Sequence, residues 1–387
     1  MEFMGYVREN GRVGSRNHVA VIPSVNCANE VAKRIAAAVP NTRSLNHHQG
    51  CCELPPDLDR VTLSLTGLGM SPNVGAVLIV SLGCEGTDVD YMAQHIAETG
   101  KSVEVIRIQE LGGTRVSIEK GTEIAQRLAD KIAPIKRQAV DMSEAIMSIK
   151  CGASDATSGL ASNVVIGYVA DKIVDLGGTV VFGETTEFIG AEHILARRAR
   201  TPEVGRKIYE IVERMENRAK SLGCDMRKGQ PTPGNIAGGL SSIEEKSLGA
   251  IVKSGTKPIE GVLEYTDVIS NQKGLWIKDT PGREIEILTG MAISGAQAMC
   301  FSTGRGAPQG FPTMPVLKIC GNPHTFARLS EDMDVNAGRI ITGEKSIEEV
   351  GEEAFERFVR VLSGEKTHCE ELEYYNSIDI YTLGPVI

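Results

Sequence analysis

The chain of 387 residues has no stretch approaching the roughly 18–20 uninterrupted apolar residues that a membrane helix needs, and its opening, MEFMGYVRENGR, lacks the apolar run of a secretory signal. No membrane association is therefore expected, and the cytoplasm is the default compartment. Basic charge is also short. The 41 Lys and Arg are outnumbered by 50 Asp and Glu, for a net charge of −9, which argues against a general nucleic-acid binder. Local Arg and Lys can still receive an anionic substrate. No CxxC pair occurs, so zinc ribbons and dithiol redox sites are not expected. The nine cysteines are an odd number and argue against a disulfide framework. Neither GxGxxG, GxxxxGK[ST] nor GxSxG is present. The nearest approach, GRGAPQG at 304–310, has the wrong spacing, and Pro308 would obstruct a helix start. A nicotinamide enzyme and a P-loop NTPase are thus disfavoured. There is no internal repeat and no low-complexity segment.

What is present is ordinary for a globular protein, with 41% hydrophobic and 24% charged residues, except that glycine is abundant at 42. Such glycine predicts tight turns and backbone-lined sites. Short apolar runs alternate with helical periodicity. Strands are predicted at 18–22, 75–80 and 102–108, with helices at 28–39, 88–98 and 117–132. The second part repeats the pattern with longer insertions: helices at 163–176, 190–200 and 202–222, strands at 179–184, 297–302 and 315–319, and an amphipathic helix at 346–362. Ser346 and Glu349 form a capping box at the start of that last helix. This alternation predicts an α/β fold of two Rossmann-like domains with mostly parallel, doubly wound sheets, divided as 1–135 and 136–387. The Gly/Pro-rich passage 229–247 resembles a loop that wraps a site.

Ligands in open α/β sheets bind outside the carboxyl ends of strands. Polar groups after predicted strands are therefore the candidates: Cys84, Glu184, Thr185, Glu187, Arg305 and Asn322. Two denser clusters are HHQGCC, with His47, His48, Cys51 and Cys52, and KCGASDATSG, with Lys150, Cys151, Asp155 and Ser158. Cys52 (or Cys51), Cys84 and Cys151 lie in three Gly-flanked turns, and thiolates on separate loops can converge on one iron or iron–sulfur centre. Cys27, Cys224, Cys300 and Cys369 read as small buried hydrophobes.

Long stretches, among them GRVGSRNHVAVIPSVNCA, HHQGCC, SLGCEG, KCGASDATSGLASN, ETTEFIGAEHIL, PTPGNIAGGLSSIEEKSLGAIVKSG, FSTGRGAPQG and PVLKICGNP, resemble the altronate/galactarate dehydratase family, which also includes the large subunit of sulfolactate sulfo-lyase. The resemblance spans nearly the whole chain. It implies an iron-dependent lyase acting on a sugar acid, with Fe2+, alone or as a [4Fe–4S] cluster, on Cys52, Cys84, Cys151 and His48. His47, His48, Glu184, Glu187 and Lys150 become candidates for proton transfer. Arg16, Asp155, Ser158, Thr185, Arg305 and Asn322 become candidates for substrate binding. Full-length hexarate dehydratases carry a small N-terminal β-rich domain, whereas this chain starts at GYVRENGRVGSRN. A separate small β-rich (SAF-type) subunit is therefore the expected partner, in a homo- or hetero-oligomer. Two rival readings are a sulfolactate sulfo-lyase subunit and a non-catalytic α/β ligand-binding protein.

Overall fold

Apolar residues on both faces of a strand require cover on both sides, and the sheets here are built that way. β1 (Glu2–Val7) and β2 (Val13–Gly14) pair antiparallel. β3 (His18–Pro23), β4 (Thr42–Ser44), β5 (Val74–Ser81) and β6 (Ser102–Arg107) then form an all-parallel sheet in the order β4-β3-β5-β6. β7 (Gln138–Asp141) returns to the free side of β1 and completes a three-stranded antiparallel sheet. Seven further strands make a second parallel sheet: β8 (Ile146–Gly152), β9 (Thr179–Phe182), β10 (Ile259–Leu263), β11 (Gly274–Lys278), β12 (Ala298–Thr303), β13 (Val316–Cys320) and β14 (Val335–Asn336). Their order is β10-β11-β9-β8-β12-β13-β14. This computed structural model describes residues 1–375 and 378–385.

Period-two alternation divides the N-terminal sheet between two cores. Val19, Val21, Leu78 and Val80 pack with Ile35, Ile124 and Leu128 from the helices Asn29–Ala38 and Thr114–Ile132. Ala20, Ile22, Val77 and Ile79 face the other way, toward Leu65, Leu68 and Ile96 from the helices Pro55–Met70 and Val89–Ala97. That second core also contains Val181, Met299 and Phe301 from the seven-stranded sheet and Ile287 and Met291 from the helix Glu284–Ile293. The two sheets are therefore joined through one apolar layer. Truncating a fully buried residue there, such as Leu65→Ala, should cost about 2–5 kcal/mol. Among the described residues no helix is long and apolar enough to cross a membrane.

The expected fold class is found, with the small antiparallel sheet as an addition. Four strands of the second sheet, β8, β10, β11 and β14, are not among the predicted ones, nor are the helices Pro55–Met70 and Glu284–Ile293. The capping box at Ser346 is present, closing the start of the helix Ile347–Leu362.

Candidate active site

A parallel sheet opens a crevice at its carboxyl edge where consecutive connections leave in opposite directions. In the N-terminal sheet that point lies between β3 and β5, because the chain passes from β3 to β4 on one side and to β5 on the other. In the seven-stranded sheet it lies between β8 and β12. Both edges carry chemistry.

At the second edge, Cys151 is the penultimate residue of β8 and is buried, whereas the sequence reading places it in a turn. Its thiol, Glu184 and Glu187 offer ligand atoms within 4.8 Å of one another, a spacing that could hold a metal ion. The ammonium of Lys253 already fills that position. Lys253 Nζ lies 3.0 Å from Cys151 Sγ and 3.0 Å from Glu187 Oε2, and it is in short contact with Glu184 Oε2. Cys151 Sγ donates to Glu187 Oε2 at 2.8 Å, and the backbone N–H of Cys151 donates to Glu184 Oε2 at 2.9 Å. Lys150 stands 3.5 Å from Glu184 and 3.8 Å from Glu284, and Lys246 stands 3.6 Å from Glu187. Three ammoniums thus meet three carboxylates, as buried charge requires.

The protonation states follow from this packing. Burial and the neighbouring carboxylates push the Cys151 thiol well up, so it stays neutral. Burial alone would lower Lys253, but Cys151, Glu184 and Glu187 outweigh it and hold the ammonium charged. Burial likewise opposes ionisation of Glu187, yet Lys253 and Lys246 keep it well below the usual carboxylate range. Glu184 adopts a left-handed backbone, φ 69°, as do Ala153 and Cys52 at φ 49° and 63°. Non-glycine residues in this region cost of order 1–3 kcal/mol and concentrate at functional sites.

Glu187 and Lys246 open onto a cavity of about 400 Å³ that Thr186, Gln230, Thr232 and Arg283 also line. Gln230 and Thr232 come from the Gly/Pro-rich passage expected to wrap a site. Arg283 is exposed and reaches Asp379 at 3.5 Å. Asp379 also accepts from His48 Nδ1 at 2.9 Å and from Gln49 Nε2 at 3.1 Å. The HHQGCC loop of the N-terminal sheet is thereby tied to the rim of the cavity.

At the first edge, Cys27, Cys51, Cys52 and Cys84 are all exposed. The thiols of Cys51 and Cys52 lie 3.6 Å apart. The Cys52 thiol raises the pKa of Cys51 through hydrogen bonding and charge, and Cys27 and Cys84 are near enough to add to the effect. Among the described residues the only compact group of three or more His, Cys, Asp or Glu ligand atoms is the one around Lys253, so Cys52, Cys84 and Cys151 do not close into one donor set. Cys27 and Cys224 are exposed, not buried as expected; Cys300 and Cys369 are buried.

The other expected site residues divide. His47 is buried with both ring nitrogens engaged by backbone: Nε2 meets Pro23 O at 2.8 Å and Nδ1 accepts from Gln49 N at 3.2 Å. It braces the loop and has no nitrogen left for substrate. Arg16 is a correction. Its guanidinium is spent on Glu370, at 2.7 and 2.8 Å, and on the carbonyls of Ser15, Val361 and Glu365, so it clamps the protein and not a ligand. Thr185 is buried and donates to Asp279 at 2.6 Å. Asp155 accepts from the Thr157 and Ser158 backbone and from Asn322 Nδ2 at 3.0 Å, which makes it a brace between loops, with Ser158 donating back to it. Asp155, Asn322 and Arg305 line a separate cavity of about 290 Å³ with Arg328. Lys246, Lys253 and Arg283 escape the sequence reading. The available signal for Lys253 was a lone charge inside the apolar run AIVKSG.

Comparison with known proteins identifies the family. A family profile described as D-galactarate dehydratase/altronate hydrolase, second domain, matches residues 5–133, and one described as D-galactarate/altronate dehydratase, C-terminal, matches 142–386. The (2R)-sulfolactate sulfo-lyase subunit beta of Chromohalobacter salexigens is 37% identical, over 96% of this chain and 95% of that protein. The galactarate dehydratase (L-threo-forming) of Escherichia coli is 32% identical over 99% of this chain and 77% of its own length. The altronate dehydratase of Bacillus subtilis is 30% identical over 96% and 76%.

Proposed function

Because the chain belongs to the D-galactarate/altronate dehydratase family, we propose that it is the large catalytic subunit of an iron-dependent lyase that removes water from a sugar acid to give a 2-keto-3-deoxy acid. The observation that carries this reading is the cavity bounded by Glu187, Lys246 and Arg283, with the Lys253 quartet behind it and the His48–Asp379 pair at its rim.

The rim and the wall of the cavity suit opposite proton-transfer roles. Arg283 and Lys246 supply the positive charge that holds a substrate carboxylate. Asp379 fixes the His48 ring through Nδ1, and Nε2, whose one contact is a long 3.4 Å approach of Gln49 Nε2, takes the proton from C2 of the acid. The C2 electron pair then forms the C2–C3 double bond, and the C3–O bond breaks. Lys246 protonates the departing hydroxyl, which leaves as water, and the resulting enol rearranges to the 2-keto acid. Glu187, held ionised by Lys253, keeps Lys246 charged and oriented. The neutral thiol of Cys151 and the charged Lys253 lie behind that wall, sealed from solvent.

Iron suits the exposed thiols. Their donors are soft and unburied, and they sit on strand-end loops, whereas the donor set around Cys151 is already filled by an ammonium. Bound at Cys52 and Cys84, iron would stabilise charge developing on the substrate carboxylate and hydroxyl.

A second reading, sulfite as the leaving group from sulfolactate, is favoured by the 37% identity to a sulfo-lyase subunit along 95% of its length. There the C3–S bond breaks and the enol becomes pyruvate. That relative's designation as a subunit beta also supports a partner for this chain, and a small β-rich subunit is the proposed one. The test is product analysis: sugar acids and sulfolactate are offered to anaerobic protein with Fe2+ and the small subunit. A 2-keto-3-deoxy acid supports the first reading; pyruvate with sulfite supports the second. Tight binding of an acid without turnover would overturn both in favour of a ligand-binding protein.

A further inference from the structure

We infer that Arg305 and Arg328 form a binding site for a small oxyanion, the phosphate, sulfonate or carboxylate group of a ligand. The site is the cavity they share at the carboxyl edge of β12 and β13, and not the one bounded by Glu187, Lys246 and Arg283. The inference does not rest on the lyase reading.

The first support is place. The cavity lies beside the switch point between β8 and β12, where open parallel sheets take their ligands. The loops leaving three strands are fastened together there. Arg305 N donates to Ala153 O at 2.9 Å, and Gly321 N to Thr303 O at 2.9 Å. Gly306 allows a closer approach still: its φ is 86°, and a Cβ there would meet Leu329 Cδ1 at 2.3 Å. The Arg305 loop therefore closes on the helix Pro323–Arg328, and both arginines line one space of about 290 Å³.

The second support is charge. The chain carries a net −9, yet neither guanidinium is ion-paired among the described residues. Arg305 gives a single side-chain bond, from Nη1 to Gly234 O at 2.5 Å, and the Arg328 guanidinium gives none among those residues. The carboxylate that lines the cavity, Asp155, is spent elsewhere. It accepts from Thr157 N at 2.9 Å, Thr157 Oγ1 at 2.6 Å and Asn322 Nδ2 at 3.0 Å. Both arginines are exposed, so an anion reaches their free N–H groups from solvent. Paired N–H donation from such forks is the usual way an oxyanion is held.

The third support is what the site touches. The Gly/Pro-rich passage 229–247 is a wall common to both cavities: Ala237 and Gly238 line this one, and Gln230 and Thr232 line the other. Asn235 Nδ2 ties the passage to Ser154 O at 2.9 Å, and Ala156 N donates to Gly238 O at 3.0 Å. An anion that orders the Arg305 guanidinium also fixes its bond to Gly234, so occupancy here stiffens the wall of the neighbouring cavity.

Equilibrium dialysis of the whole chain against labelled inorganic phosphate, with chloride holding ionic strength constant, reads the site directly. Wild type should bind phosphate at a single saturable site. Arg328→Gln and Arg305→Gln should each weaken binding by about tenfold or more. Arg328→Gln should keep the wild-type melting temperature even where Arg305→Gln loosens the passage. Saturating phosphate should slow proteolysis within 229–247 in wild type and not in Arg328→Gln. Displacement of phosphate by a sugar diacid assigns the site to a carboxylate ligand, and no displacement assigns it to a phosphate; either supports an oxyanion site. Absence of binding above the chloride background, or wild-type binding in both variants, would overturn the proposal. Loss of binding in Arg283→Gln instead would move the anion to the neighbouring cavity and overturn it as well. Unslowed proteolysis at saturation would sink the coupling to the passage. Phosphate bound as described by a protein that turns over no acid would sink the lyase reading and leave this site standing.

Discussion

The carboxyl edges of the two parallel sheets occupy equivalent positions in their layers, yet they treat cysteine in opposite ways. After β3, β4 and β5 the thiols stand in solvent on braced loops, and few hydrogen bonds compete for them. At the end of β8 a single thiol is buried under a lysine and two carboxylates. Burial decides the difference: the same functional group is open to reagents where water reaches it, and is held as a neutral thiol where it does not. A shared topology therefore supplies two sites and does not dictate what either one does.

Breaking the buried side should have the largest effect. Lys253→Met leaves Glu184 and Glu187 without their central cation, and an uncompensated buried charge costs about 3–5 kcal/mol. Turnover should fall by a factor of about 10²–10⁴ or more. Wild-type melting temperature and rate in this variant would show that the quartet is neither structural nor catalytic.

The next test uses acid. His18 and His47, both at the N-terminal sheet, are pushed down to about 4 by burial, with Arg43 adding to the effect at His18 and His48 at His47. The unfolded chain takes up these protons near the ordinary 6.5, so between 6.5 and 4 the unfolded state binds more. Stability is full above that window and is lost as pH falls through it. From pH 7 to 5 each histidine should remove about 2 kcal/mol. Denaturant melts at the two pH values check this, and His47→Gln should abolish about half of the difference. A pH-independent midpoint would mean that the imidazoles are not buried neutral.

Thiol chemistry sharpens the contrast without mutation. In the metal-free protein, Cys27, Cys51, Cys52, Cys84 and Cys224 should be alkylated readily, and Cys151 and Cys300 only on unfolding, because burial raises both buried thiols. Peptide mapping by mass gives the order; early labelling of Cys151 would show that the quartet is open to solvent. The smallest effect is expected at Cys224, an exposed residue just past a helix end: Cys224→Ser should change neither melting temperature nor rate measurably.

How much of this was legible in the sequence depends on whether a residue's role is local. β3, β5 and β6 announce themselves as short apolar runs, and the helix Ile347–Leu362 by its period and its Ser346 cap, because those signals lie within the element. β8 was hidden. IMSIKCG carries a lysine and ends in Cys-Gly, and only the tertiary fold shows that Lys150 is neutralised by Glu184 and Glu284. The helix Glu284–Ile293 is nearly apolar all round, so it has no amphipathic period to read, being buried between layers. The same holds for the site. Glu184 and Glu187 follow a visible strand, whereas Lys253 lies 66 residues beyond Glu187 and acquires its meaning only by contact.

Residues 378–385 follow the seven-stranded sheet in the chain yet fasten the loops of the first one. Ile378 N donates to Asn46 O at 2.7 Å, Asp379 holds His48 and Gln49, and Leu383 N reaches Asp57 at 2.8 Å. During synthesis the N-terminal sheet leaves the ribosome first and can fold early, but its HHQGCC loop lacks these anchors until residue 383 has emerged. That edge is consequently completed late in biogenesis, and a nascent chain stalled before residue 378 should carry a folded N-terminal sheet whose HHQGCC loop is not yet anchored.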